Sequence, residues 1–145
     1  MNFDKNNISK ITLGTVQLGI NYGINNADGK PTEEMAGKVL STAINGGITS
    51  FDTSSAYGTS EKVLGNFFKT QTKKPTIITK FSVLNHDNPL SEIEVEKKIN
   101  AQVENSLNNL GYNKLPLLLM HSEIDLTVYG NTLLKTLRNL QKTGL

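Results

Sequence analysis

Short apolar segments alternate along this chain with longer segments in which apolar residues recur at helical spacing. Four segments have the length and character of strands: residues 11–15, 48–52, 75–80 and 115–120. Four others predict helices: one that opens at residues 31–34 and is ended by residues 46–47, then residues 61–69, 91–110 and 127–142. Continuously apolar strands that alternate with such helices are typical of a parallel sheet buried on both faces.

The helix boundaries carry their own signals. Thr32 is the expected N-cap of the first helix, because acidic residues follow it in the first turn. Ser91 and Glu94 form the pattern of a capping box at the start of the third helix, and Gly111 closes it. The apolar spacing predicts these buried positions, helix by helix: Met35, Val39 and Ala43; Val63, Leu64, Phe67 and Phe68; Ile93, Val95, Ile99, Val103, Leu107 and Leu110; Leu133, Leu134, Leu137 and Leu140.

Four successive strand–helix units leave two α/β fold classes open. They correspond to the first four βα units of a (β/α)8 TIM barrel, with residues 1–145 as a single domain. Alternatively, they form a small, open, doubly wound sheet. The last helix ends in a stop signal at residues 142–144 and no fifth strand follows. We therefore expect the barrel to be incomplete; if the chain is part of a barrel enzyme, the natural chain should continue into another strand.

Composition narrows the range of functions. The 145 residues carry a formal net charge of +2 with scattered basic residues, which argues against a nucleic-acid surface. There is no cysteine, which excludes disulfides and thiolate chemistry, and the two histidines are too far apart in the sequence to predict a metal site. No apolar run approaches the roughly 20 residues of a membrane span. The polar N-terminus lacks the apolar core of a signal peptide, so we expect a cytoplasmic protein.

Ionisable side chains follow three consecutive strands. Asp52 ends the second strand, Lys80 ends the third and His121 follows the fourth, while Tyr57 lies in the loop after Asp52. Singly, each has an ordinary structural explanation, such as a turn-capping acid or a packing aromatic. A buried ammonium needs a counter-charge, however, and Asp52 is placed to supply it. Because strand ends on one rim of an α/β sheet converge, we expect the four side chains to share one pocket. His86, in a later loop, is assigned no role.

The sequence closely resembles the aldo/keto reductases over nearly its whole length. The resemblance rests on these motifs in chain order: Leu13-Gly14-Thr15, Phe51-Asp52-Thr53, Tyr57-Gly58, Ser60-Glu61, Leu64-Gly65, Thr79-Lys80 and Leu119-Met120-His121. It implies a barrel that uses NADPH without a Rossmann domain, which agrees with glycines at residues 14–19 that are wrongly spaced for a dinucleotide fingerprint. Residues 19–31 resemble a bacterial branch linked to surface-polysaccharide or sugar metabolism.

The resemblance implies a role for each of the four side chains. Tyr57 would protonate the carbonyl oxygen of an aldehyde or ketone as hydride arrives from the nicotinamide. A phenol gives up its proton reluctantly at neutral pH, and Lys80, held by Asp52, would ease that step by favouring the phenolate. His121 would orient the carbonyl. Three residues would lie near the cofactor: Gly14, Thr15 and Asp52.

Two departures from the family pattern leave the function open. Residues 122–125 look looser than the usual His-x-x-Asp turn, and the family's main cofactor contacts come from strands five to eight, which lie beyond these residues. The first possibility is that the chain is part of an NADPH-dependent carbonyl reductase. The second is a catalytically inactive half-barrel that self-associates through its open edge. The third is an unrelated barrel enzyme, such as an isomerase using Lys80 and His121.

Overall fold

A computed structural model describes residues 8–24 and 26–144 of the chain. It contains one parallel sheet with its strands in chain order: β1 (Leu13–Gly14), β2 (Ser50–Asp52), β3 (Thr76–Phe81) and β4 (Leu117–Met120). Each lies at a predicted position. A doubly wound sheet reverses its strand order at a switch point, and this sheet does not, so that alternative is wrong. The consecutive order is that of the first four units of a (β/α)8 barrel.

The helices alternate with the strands as predicted, with two differences. Their bounds are α1 (Val16–Gly19), α2 (Glu33–Asn45), α3 (Ser60–Phe68), α4 (Glu92–Leu110) and α5 (Glu123–Thr143). Thr32 caps α2, and Ser91 and Glu94 make both hydrogen bonds of the capping box at α4. The short α1 is absent from the predicted set, and α5 begins at Glu123 rather than at residue 127. Among the described helices, none has the length and apolar character needed to cross a membrane.

The buried side of α2 differs from the predicted one. Met35 and Val39 are 52% and 45% exposed, whereas Ala36 and Leu40, one position further along, are buried. Both pairs have the same helical spacing, so only the packing of the helix against the sheet and α3 distinguishes them. Ile93 on α4 and Leu134 on α5 are likewise exposed rather than buried. Most of the other predicted apolar positions belong to the core or pack against it.

Helices cover only one face of the sheet. Phe51, Ile77 and Phe81 point to that side and are at most 1% exposed. The strand register places another set on the opposite side, here called the inner face: Gly14, Asp52, Ile78, Lys80, Leu117 and Leu119. These positions are half-buried or exposed. The expectation of a sheet buried on both faces is therefore wrong within the described residues, and the polar ends of the strands are accessible.

Candidate active site

The acid and the cation expected at the strand ends meet on the inner face. Asp52 pairs in register with Ile78, and Lys80 lies two residues further along the same side of β3. Nζ of Lys80 donates to Oδ1 of Asp52 at 2.6 Å and to the backbone oxygen of Thr53 at 2.9 Å. The side chains of Lys80 and Asp52 are 16% and 33% exposed, so the pair is partly desolvated. The ammonium thus has the counter-charge that its position requires.

The loop between β2 and α3 carries Tyr57, and close backbone contacts hold it there. The Tyr57 amide donates to the Ser54 carbonyl, and its own carbonyl accepts from the Ser60 amide, both at 3.0 Å. Gly19 permits this approach, because a Cβ atom there would lie 1.8 Å from the Tyr57 carbonyl oxygen. Nζ of Lys80 lies 5.2 Å from the centre of the Tyr57 ring, which is within cation–π range.

His121 follows β4 and completes the cluster. Its amide donates to the backbone oxygen of Phe81 at 2.9 Å, which extends the pairing of β4 with β3. The exposed imidazole meets the Tyr57 ring edge-on, with 5.7 Å between ring centres, and its Nδ1 lies 3.0 Å from Oγ of Ser54. The structure therefore brings all four expected side chains together at the carboxyl ends of the strands.

A buried network fixes the start of α3 beneath this cluster. Oγ of Ser60 lies 2.8 Å from Oγ1 of Thr15 and accepts a hydrogen bond from the Thr53 hydroxyl at 3.0 Å. Glu61 is 3% exposed and accepts a hydrogen bond from the Thr79 hydroxyl at 2.6 Å. These contacts tie α3 to the first three strands, so the loop that carries Tyr57 has a fixed end.

Of the residues expected near the cofactor, Gly14 lies beside open space, whereas the side chain of Thr15 is already hydrogen-bonded within the protein. Gly14 lies on the inner face beside Asp52, and a Cβ atom added to it would meet no neighbouring atom within 4 Å. Thr15 is buried, and its hydroxyl donates to the backbone oxygen of Asp52 at 2.9 Å. The Thr15 side chain is thus committed to holding β1 against β2. Open space lies above Gly14, next to the partly exposed carboxylate of Asp52.

A second carboxylate, not singled out from the sequence, anchors the loop after β3. The side chain of Asp125 is fully buried in the first turn of α5. It accepts hydrogen bonds from the amides of Val83 and Leu84 at 2.8 and 3.1 Å, and it pairs with Nε2 of His86 at 2.7 Å. Burial would raise the pKa of Asp125, but these bonds and one from Ser82 outweigh it and hold the pKa below its ordinary value.

This anchor corrects two expectations. Residues 122–125 are not a loose turn: Ser122 caps α5, and Asp125 belongs to its first turn. His86, which was assigned no role, binds that helix. Ser122 followed by two acidic residues is a recognised sequence pattern for the start of a helix, so the start of α5 could have been predicted. The partner was not readable, because His86 and Asp125 are 39 residues apart in the sequence.

Known proteins resemble this chain in both sequence and fold. The model of the aldo/keto reductase family matches residues 10–145. The chain belongs to the aldo/keto reductase family. Two structures from Pseudomonas aeruginosa, provisionally assigned as aldo-keto reductases, are similar to it at 29% sequence identity, with TM-scores of 0.76 and 0.72. Each match covers 95% of this chain, but only 53% of the first structure's chain and 52% of the second's. An aldo-keto reductase from Bacillus halodurans, solved in its holo form, is similar in fold at 18% identity, with a TM-score of 0.69, over 94% of this chain and 43% of its own.

The chain therefore spans about half the length of the solved aldo/keto reductases that it matches. Aldo/keto reductases are oxidoreductases that act on small carbonyl compounds with nicotinamide cofactors, so the lineage of this chain is that of an oxidoreductase. Its four βα units correspond to part of the barrel of those structures.

Proposed function

We propose that this aldo/keto reductase chain forms the proton-donating half of an NADPH-dependent enzyme that reduces an aldehyde or ketone to an alcohol. The observation that carries the proposal is the position of Lys80. Its Nζ lies 2.6 Å from the Asp52 carboxylate and 5.2 Å from the centre of the Tyr57 ring. An ion pair that served packing alone would not need a tyrosine and a histidine held beside it. Proton transfer to a carbonyl oxygen uses all four.

Each side chain has one task in this reaction. Tyr57 donates its phenolic proton to the carbonyl oxygen, and the Lys80 ammonium stabilises the phenolate that remains. Asp52 keeps that ammonium in place through the ion pair. His121 donates a hydrogen bond to the carbonyl oxygen and so orients the substrate. When bound, NADPH would supply the hydride.

The residues present fit the nicotinamide end of the cofactor. The open space above Gly14 and the neighbouring Asp52 carboxylate support its binding on the inner face. The remaining contacts would come from the part of the barrel that corresponds to the other half of the matched structures. We therefore expect residues 1–145 alone to bind NADPH weakly and to show little or no turnover. A sugar-derived substrate and a cytoplasmic location belong to the same proposal; the substrate rests on the sequence resemblance and the location on the polar composition of the sequence.

A chimeric protein tests the proposal, with residues 1–145 joined to the second half of the Pseudomonas aeruginosa relative. NADPH consumption is followed with a panel of aldehydes and ketones, including sugar-derived ones. Tyr57→Phe should lower kcat about 100-fold or more, since a positioned general acid contributes that much, and NADPH binding should persist. Tyr112→Phe is the matched control, because the Tyr112 hydroxyl binds the backbone oxygen of Pro75 before β3, at the opposite end of the sheet.

The outcomes separate the alternatives. Carbonyl reduction that survives Tyr57→Phe would exclude the tyrosine mechanism. A folded chimera that binds NADPH and reduces none of the carbonyls would count against the reductase. The third possibility, an unrelated barrel enzyme using Lys80 and His121, is wrong, because the family match covers residues 10–145.

A second function, self-association as an interaction module, is favoured by one observation. Leu119 on the inner face is 40% exposed, and it lies on β4, which pairs only with β3 among the described strands. The outer edge of β4 therefore presents unpaired backbone groups beside an apolar side chain. Sedimentation velocity over a concentration series should show a dimer or larger species that Leu119→Lys disperses. A wild-type chain that stays monomeric throughout the series would end this proposal.

A further inference from the structure

Ser54 lies directly under the candidate site and contacts its histidine. The residue is 1% exposed, and its Oγ lies 3.0 Å from Nδ1 of His121. The same Oγ accepts a hydrogen bond from the amide of Ala56 at 3.1 Å and lies 3.4 Å from the backbone oxygen of Lys80. A hydroxyl has one proton to donate, so its choice between Nδ1 and the Lys80 oxygen determines what His121 can do.

The competing acceptor is poorly placed for that proton. A distance of 3.4 Å is long for an O–H···O hydrogen bond, which is normally 2.5–3.0 Å. The Lys80 oxygen also has two closer donors, the amide of Ser55 at 3.2 Å and the hydroxyl of Ser55 at 3.0 Å. Nδ1 of His121 is the nearer acceptor for the Ser54 proton. The Ala56 amide, which donates to the same oxygen, further polarises the hydroxyl toward donation.

We propose that Ser54 is a positioning residue that holds the neutral ring of His121 as its Nε2–H tautomer. If Ser54 donates to Nδ1, that nitrogen carries no proton and the ring proton lies on Nε2. Nε2 has no protein partner among the described contacts, so it is the nitrogen left for a ligand. The substrate would then meet a hydrogen-bond donor, which suits a carbonyl oxygen.

The opposite tautomer leaves the hydroxyl badly placed. With a proton on Nδ1, Ser54 Oγ would accept from both the ring and the Ala56 amide. Its own proton would then depend on the distant Lys80 oxygen. His121 would also present a lone pair to a carbonyl oxygen and would repel it. The importance of the tautomer for catalysis rests on the reductase function proposed above, whereas the tautomer itself does not.

The tautomer is measurable in residues 1–145 without cofactor or substrate. Long-range proton–nitrogen correlation spectra of 15N-labelled protein, recorded at a pH at which the ring is neutral, report which ring nitrogen carries hydrogen. The chain has only two histidines, so His86→Gln and His121→Gln assign every ring signal. The wild-type His121 should be predominantly Nε2–H, and more so than the same histidine in a synthetic peptide of residues 117–125.

Two serine variants separate positioning from general stabilisation. Ser54→Ala should lower the ratio of Nε2–H to Nδ1–H about fivefold, the effect expected from losing one hydrogen bond. Ser55→Ala is the matched control, because Ser55 donates to the Lys80 backbone oxygen and has no described contact with His121. Its ratio should stay at the wild-type value.

The inference is overturned if wild-type His121 is mainly Nδ1–H, or if Ser54→Ala and Ser55→Ala give the same ratio. If Ser54→Ala does not fold, the comparison of the wild-type protein with the peptide decides: equal ratios refute the proposal, and a higher Nε2–H fraction in the protein supports it. The two proposals can fail separately. If His121 has the expected tautomer but the chimeric protein described above reduces no carbonyl, the reductase function is refuted and the inference about Ser54 stands.

Discussion

The ion pair between Lys80 and Asp52 should be coupled much more strongly than an exposed pair of nearly equal length in the same chain. Nζ of Lys80 lies 2.6 Å from Oδ1 of Asp52, with side chains 16% and 33% exposed. On α2, Nζ of Lys38 lies 2.7 Å from Oε1 of Glu34, with side chains 74% and 79% exposed. The distances are nearly equal, and a double-mutant cycle cancels, to first order, the contacts that Lys80 makes with Thr53 and Tyr57. The difference in coupling should therefore come mainly from solvent exposure.

The expected magnitudes follow from that difference. An exposed i,i+4 pair contributes about 0.3–0.5 kcal/mol. A charge-assisted hydrogen bond that is partly shielded from water contributes about 1.5–3 kcal/mol, and the one-third exposure of Asp52 places this pair at the lower end. We therefore expect a coupling energy of about 1.5–2 kcal/mol for Lys80 with Asp52, and several-fold less for Lys38 with Glu34.

Two double-mutant cycles measure these energies. One combines Asp52→Asn with Lys80→Met, and the other combines Glu34→Gln with Lys38→Met; each substitution removes charge and nearly keeps shape. Free energies of unfolding come from urea titrations of residues 1–145 at pH 7, with slopes compared to confirm that the denatured states are alike. Coupling at the first pair below about 0.5 kcal/mol, the range of exposed pairs, would refute the argument that the inner face desolvates it.

Two further predictions concern the elements that support the site. Because the pKa of Asp125 is held below its ordinary value, its carboxylate stabilises the fold above about pH 4 and this contribution is lost as the pH falls through the folded-state pKa. Asp125→Asn should therefore destabilise the chain at pH 7 by about 1–2 kcal/mol and show less acid destabilisation than wild type in urea titrations; parallel acid profiles would contradict this. Gly65→Ala should cost about 2 kcal/mol, since its Cβ would lie 1.9 Å from the Asn109 carbonyl oxygen. Gly37→Ala is the control in a helix, because an added Cβ there would meet only side-chain atoms near 4 Å. It should raise the free energy of unfolding, measured by thermal unfolding, by about 0.5–1 kcal/mol. Equal effects of Gly65→Ala and Gly37→Ala on stability would contradict this prediction.

Local signals were sufficient to predict most of the framework. Thr32 and Ser91 cap helices because their side chains bond amides three residues away, so a short stretch of sequence contains the whole interaction. The four side chains of the candidate site were predictable for a similar reason. Each lies at or after a strand end, and parallel strands bring such ends together whatever the details of packing.

The missed features depend on contacts between distant parts of the chain. Met35 with Val39 and Ala36 with Leu40 have the same spacing, and only the docking of α2 decides which pair is buried. Asp125 is buried because the loop after β3 folds over it and supplies amides for its oxygens. The hydroxyl of Ser54 reaches His121 across 67 positions of sequence. No local pattern contains these partners.

The uncovered inner face links the ion pair to the proposed chemistry. The attraction between Lys80 and Asp52 grows as water is excluded, because the effective dielectric constant falls. In the described residues Asp52 retains one-third of its exposure. In a closed (β/α)8 barrel the inner face lines a packed interior, which would remove much of that contact with water. The Lys80–Asp52 double-mutant cycle should therefore give a larger coupling energy in the chimeric protein, in which residues 1–145 are joined to the second half of the Pseudomonas aeruginosa relative, than in residues 1–145 alone. An unchanged coupling would mean that the added half does not enclose the pair, and that Tyr57 would have to donate its proton from a site still open to solvent.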